Sequence, residues 1–157
     1  MVTKESPTPE NYHVAMKAFV RKGDAVLVME DAREPGVGDL PGGRIGVGEF
    51  EVPFNDILAR EIEEELGSDF RYRSNGPVAI FRHGRLEMSA SGKPPVRIVM
   101  VGFELEYLGG EIRISDEHTG YRWIPLAEAP LMPPGGQADG MRKYLEYLKN
   151  PSQGIRY

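Results

Sequence analysis

Carboxylates crowd the segment Arg60-Glu61-Ile62-Glu63-Glu64-Glu65-Leu66-Gly67. If it is helical, at about 100° per residue, Glu61, Glu64 and Glu65 share one arc of roughly 100° on the surface. Leu58, Ile62 and Leu66 form the adjacent arc, able to face a core, while Glu63 points away from both. Three clustered carboxylates repel one another, and the like-charge Glu61–Glu65 pair costs a helix on the order of 0.2–0.5 kcal/mol. A hard divalent cation turns that repulsion into coordination. Magnesium prefers oxygen ligands and commonly bridges carboxylates to substrate phosphates. Held there, it would neutralise phosphate charge and lower the pKa of an attacking water. A Glu-rich run is also what a solvated helix face looks like, so the surrounding residues must decide.

The elements that would position these carboxylates are legible from patterning. Tyr12 to Glu30 gives two apolar-rich runs joined by Lys22-Gly23-Asp24, which predicts a β-hairpin. Residues 31–53 hold six glycines and three prolines in 23 positions and read as loop, long enough to suggest function. Phe54 to Leu66 reads as the helix, closed by Gly67. Val78–Met88 and Val96–Tyr107 read as strands around a SASGKPP turn. Ile112-Arg113-Ile114 and Tyr121-Arg122-Trp123-Ile124 read as two more, with a brief helical turn near Ala127. Gln137–Lys149 is an amphipathic helix with Met141, Tyr144, Leu145 and Leu148 on one face. Strands and helices do not strictly alternate, which favours a mixed β-sheet flanked by helices over a doubly wound parallel one.

Composition bounds the function. The 157 residues suit one domain, with residues 1–11 as a flexible arm, 12–150 as the body and 151–157 as a tail. The balance of 24 acids against 19 bases, net −5, carries no footprint for nucleic-acid binding. With no cysteine there is no disulfide, thiolate zinc site or cysteine nucleophile. The polar start MVTKESPTPE and the absence of a long apolar run lead us to expect a cytoplasmic protein without membrane contact.

The wider pattern resembles the box of the Nudix hydrolases: Gly, five residues, Glu, seven residues, then Arg-Glu-U-x-Glu-Glu-x-Gly-U, with U bulky and aliphatic. Gly43 and Glu49 match the first block, and Arg60, Glu61, Ile62, Glu64, Glu65 and Gly67 the second. At a usage of about 6% per residue type, a chance match to the second block's five fixed residues arises in roughly one chain in ten thousand of this length. Ten residues rather than seven separate Glu49 from Arg60, and Ser68 stands where an aliphatic residue is expected. The longer loop is cheap in closure entropy, but the family's bracing Glu49–Arg60 contact must span it.

The resemblance implies an α/β fold, the Nudix-type α/β/α sandwich, and metal-dependent hydrolysis of a diphosphate linkage in a nucleoside diphosphate joined to another moiety. It makes Glu61, Glu64 and Glu65 the metal ligands, with Glu61 also a candidate general base. Gly42 supplies a backbone carbonyl to the metal, while Gly43, Glu49, Arg60 and Gly67 give structural support. Mg2+ is the implied cofactor, with Mn2+ as an alternative. The partner is a small molecule, and a homodimer is open. For the further carboxylate that many members draw from another loop, Glu117 in Ser115-Asp116-Glu117-His118 is the first candidate and Asp116 the second. Arg82, His83 and Arg85 form a basic cluster that could meet substrate phosphates, an exposed strand or hairpin tip being the other reading. Arg82, Arg85 and His118 are the candidates for substrate contact, and Trp123 reads as core. Met132-Pro133-Pro134-Gly135-Gly136 reads as a plain connection, with a lid as the other reading. We further expect Phe50-Glu51-Val52-Pro53-Phe54 to pack beside the helix start, with Pro53 in its first turn. Two other classes compete. A ligand-sensing or protein-binding version of the fold would be expected to lose catalytic glutamates, and the isoprenyl diphosphate isomerase needs the absent cysteine.

Overall fold

Alternation along the first strand sets the architecture. In the computed structural model, which describes residues 6–90, 92–129 and 136–157, β1 (His13–Lys22) is buried on both faces. Met16, Ala18 and Val20 join one apolar cluster and Ala15 and Phe19 the other, as the period of two dictates. The remaining strands are β2 (Ala25–Asp31), β3 (Gly38–Asp39), β4 (Gly42–Arg44), β5 (Arg71–Arg85), β6 (Val96–Gly109) and β7 (His118–Pro125). They form one mixed sheet in the order β3-β2-β1-β6-β5, with β4 also on β1 and β7 on β2. β1 and β6 run parallel while the other pairs are antiparallel.

Helix α1 (Phe54–Leu66) covers one face and α2 (Gly136–Lys149) the other. Ile57, Leu58, Ile62 and Leu66 bury the α1 stripe against Met16, Leu27, Met29 and Leu105. On the far side Tyr144 of α2 stacks on Phe19 with ring centroids 4.4 Å apart, and its hydroxyl donates to buried Glu104 at 2.6 Å. The fold is therefore an α/β/α sandwich around a mixed sheet, as expected. No helix among the described residues is long and apolar enough to cross a membrane.

Three expectations need correction. Ile112–Ile114 is not a strand: the Arg113 N–H donates to the Leu66 carbonyl at 2.9 Å, satisfying the open end of α1 instead of a neighbouring strand. The stretch after β2 is not all loop, since β3 and β4 lie within it. Phe50 is 95% and Phe54 51% exposed, so the aromatics of the insertion do not pack. Val52 and Ile45 reach the α1-side core instead, and Pro53 caps the helix from just outside its first turn, its carbonyl accepting from Asp56 and Ile57.

At the ends, residues 6–11 are exposed coil, while Arg156 pairs with the edge of β5 through Val78 and Ile80. Residues 1–5 of the arm, Ser91 of the β5–β6 turn and the Met132–Gly135 connection lie outside the described residues.

Candidate active site

The Gly42–Gly43 segment of β4 joins the sheet to the acidic helix. β4 lies antiparallel on β1, pairing Lys17 with Gly42 and Met16 with Gly43. Gly42 has φ +119°, and a Cβ there would fall 2.1 Å from the Met16 carbonyl oxygen, so only glycine is accommodated. A Cβ on Gly43 would fall 2.3 Å from a carboxylate oxygen of Glu61. The missing side chain is where the Glu61 carboxylate lies.

Helix α1 meets this strand through Glu65, whose Oε2 accepts the Gly42 N–H at 2.8 Å. Arg60 organises the outer carboxylates: it forks onto Glu49 at 2.8 and 3.1 Å and pairs with Glu61 at 2.8 Å and Glu64 at 3.2 Å. Glu49 in turn accepts the Gly46 N–H at 2.5 Å. The brace between Glu49 and Arg60 thus spans the longer loop. Glu63 is exposed, and Gly67, φ +91°, ends the helix with its N–H on the Glu63 carbonyl.

Glu61, Glu64, Glu65 and Gly42–Gly43 of β4 line one cleft of about 450 Å³ together with Glu117. Asp116 is exposed and not among its lining residues. Of the basic cluster, Arg85 and His83 line the cleft, whereas exposed Arg82 lies on the other face of β5, as the strand period requires. His118 is buried behind the site, its ring 2% exposed and its Nε2 3.3 Å from Asp39. Trp123 packs partly buried on the α1-side core.

A buried polar network stands behind the carboxylates. Lys17 Nζ donates to Asp39 at 3.0 Å and to the carbonyls of Leu40 at 2.9 Å and Gly42 at 2.8 Å. Gln137 of α2 donates to Asp39 at 2.5 Å and accepts the Leu40 N–H at 2.8 Å. Burial alone would raise Asp39, but Lys17, His118 and Gln137 outweigh it and hold the carboxyl far below its usual range. Its hydrogen bond to Asp39 raises His118. Burial raises Glu61 against the pull of Arg60 and lifts Glu65 to about 7 against the pull of Lys17. Sequence reasoning missed Lys17, Asp39 and Gln137. A lysine flanked by core residues in β1 was the available signal, because a buried ammonium requires partners.

The donor set is oxygen-only and suits a hard cation. Among the described residues no three such side chains close on a single point: Glu61 and Glu64 lie against Arg60, Glu65 against Gly42. The Gly42 carbonyl faces the Lys17 ammonium.

The chain as a whole resembles known proteins. The NUDIX domain matches residues 11–148. Over 121 residues the chain is 30% identical to the NAD-capped RNA hydrolase NudC of Stutzerimonas stutzeri (strain A1501), covering 76% of this chain. It spans only 38% of that protein's length. The MutT protein from Methanosarcina mazei Go1 superposes with a TM-score of 0.67 at 20% identity, over 92% of this chain and 100% of that one. An ADP-ribose pyrophosphatase from Streptococcus suis 89-1591 gives 0.64 at 20%, over 93% and 98%. The two structures share the fold, and the domain match covers the sheet, both helices and the site: the chain belongs to the Nudix family of hydrolases.

Proposed function

We propose that this chain is a pyrophosphohydrolase that uses a divalent cation, Mg2+ or alternatively Mn2+, to cleave a nucleoside diphosphate joined to another moiety. The observation that carries the reading is the meeting of Glu61, Glu64, Glu65 and Glu117 with Gly42 and Gly43 of β4 in one cleft. Glu61, Glu64 and Glu65 would hold the cation, with the Gly42 carbonyl as a further donor through the lone pair that the Lys17 ammonium does not occupy. Bound there, the cation neutralises phosphate charge and acidifies a water.

The residues of the chain do the rest. The water oxygen bonds to one phosphorus, the bridging P–O bond breaks, and the bridging oxygen leaves on the departing phosphate. The water's proton passes to a carboxylate. Glu61 suits that role because burial raises its proton affinity, and Glu117 reaches the same cleft from β7's leading loop. Arg60 keeps Glu61 and Glu64 on the cleft side of α1.

A panel of diphosphate compounds assayed with magnesium by phosphate release, after a coupled phosphatase, tests the proposal. The wild type should turn over at least one compound. Glu64→Gln and Glu65→Gln should lose most of that activity at unchanged fold, and Glu63→Gln should retain it. Glu117→Gln should lower kcat by roughly 100-fold or more, and Asp116→Asn should not. Full turnover by Glu64→Gln or Glu65→Gln at saturating magnesium defeats the ligand assignment, and no turnover of any compound defeats the activity.

A further inference from the structure

Beside the acidic wall the cleft opens into a second lobe of opposite charge. Arg33, Arg44, Arg85 and Lys93 line both, and Arg97 lines the outer one, a space of about 470 Å³. Glu10 is the only carboxylate among that lobe's lining residues, and it pairs with Arg97. These cations come from separate segments: Arg33 after β2, Arg44 in β4, Arg85 at the end of β5, Lys93 before β6. A chain of net charge −5 thus gathers five cations against one acid at a single place. Clefts lined by one sign of charge focus the field on a ligand of the other.

Several of these cations are not committed to structural ion pairs. Among the described residues the Arg33 and Arg44 guanidinium groups form no ion pair, although the Arg33 backbone N–H donates to Asp31 at 2.7 Å; the Arg44 guanidinium lies 3.0 Å from the His13 ring. Arg85 donates through Nη2 to the Pro94 carbonyl, but its buried Nε finds no acceptor. Lys93 reaches Glu34 only at 3.5 Å. Guanidinium groups match phosphate geometry through paired N–H donors. The scissile diphosphate belongs beside the glutamates, so the outer lobe addresses whatever is attached to it.

We propose that Arg33, Arg44, Arg85 and Lys93 form an anion subsite for a phosphate beyond the scissile diphosphate, so that the preferred substrate is a nucleoside diphosphate derivative carrying a further phosphate group. This rests on the hydrolase reading above. The lobe, at about 470 Å³, has room for about one nucleotide-sized group, which assigns a small molecule rather than a polynucleotide.

Calorimetric binding of adenosine 3′,5′-bisphosphate and of AMP tests the subsite without turnover. The bisphosphate should bind about tenfold tighter, a difference of about 1.4 kcal/mol. That ratio should fall to about one in Arg33→Gln/Arg44→Gln, both exposed positions, and in Arg85→Gln. An equal affinity of wild type for the two ligands overturns the subsite. So does a ratio that survives in the variants, and so does an equal loss of both ligands, which would place these residues on the common phosphate. In turnover, ADP-ribose 2′-phosphate should exceed ADP-ribose in kcat/KM through KM, and the double variant should erase the difference; parity in wild type overturns the substrate preference. A diphosphate-capped oligoribonucleotide preferred over the phosphorylated small molecule overturns the small-molecule assignment. If the binding contrast holds while no diphosphate is cleaved, the subsite stands and the hydrolase reading fails.

Discussion

At the scale of single residues, Glu65 is where the fold and the proposed chemistry compete. It is 6% exposed, accepts the Gly42 N–H, and is lifted by burial to about 7 from an ordinary 4.5. Between those values the folded metal-free chain holds a proton that the unfolded chain has released. The stability this group contributes is therefore full below about pH 4.5 and is lost as the pH rises through 7. A cation bound through Glu65 must displace the same proton. Magnesium should accordingly raise Tm more at about pH 8 than at about pH 6, read by thermal unfolding with and without the salt. An equal shift at both pH values would remove Glu65 from the ligand set. The helix carboxylates and Gly42–Gly43 were legible in the sequence because one helical arc and one box spacing contain them. Glu117 was legible only as an acid in a loop, Lys17 only as a lysine among core residues, and Asp39 and Gln137 not at all, because a contact between residues 39 and 137 exists only once the sheet and α2 are assembled.

At the scale of elements, the informative case is the segment between β4 and α1. Its aromatic composition suggested packing, yet Phe50 is 95% exposed and half-buried Val52 contacts the core. Helix register is instead fixed by polar contacts at both ends of the loop: Arg60 on Glu49 and Glu65 on Gly42. Composition misled because a side chain is buried by where its Cα falls, and here the backbone carries the two aromatics outward. Replacing Phe50 by Ser should change stability by no more than about 0.5 kcal/mol, whereas Val52→Ala should cost about 1 kcal/mol. Denaturant unfolding separates the two, and a loss above about 1 kcal/mol for Phe50→Ser would show that the aromatic is buried after all. The misread Ile112–Ile114 run teaches the same lesson in reverse: alternation predicted a strand, but the unsatisfied carbonyl at the end of α1 claimed the Arg113 N–H first.

At the scale of the whole molecule, the sandwich has two apolar cores that do not share residues, one under each helix. What crosses between them at the site is polar. Lys17 of β1 binds Asp39 of β3 and the carbonyls of Leu40 and Gly42; Gln137 of α2 and His118 of β7 close on the same Asp39. Glu65 of α1 joins through Gly42. One buried ammonium thereby ties segments from residue 17 to residue 137 around the strand that carries the chemistry. Burial of Asp39 would by itself favour its neutral form, so its far-lowered pKa reports how strongly these partners hold the anion. The stability it contributes is present above its unfolded value of 3.8 and is lost only on acidification below it. Lys17→Met keeps most of the side-chain volume but strips Asp39 of its buried countercharge. It should destabilise the neutral-pH protein by about 3 kcal/mol, the range for breaking a buried ion pair. Asp39→Asn combined with Lys17→Met should cost less than the two single changes added together, since each alone leaves an uncompensated group behind. Denaturant unfolding of the four proteins in this cycle gives the coupling. If the two losses add within about 0.5 kcal/mol, the ion pair is not what holds β1, β3 and α2 together, and the positioning of Gly42 and Gly43 must come from backbone pairing with β1 alone.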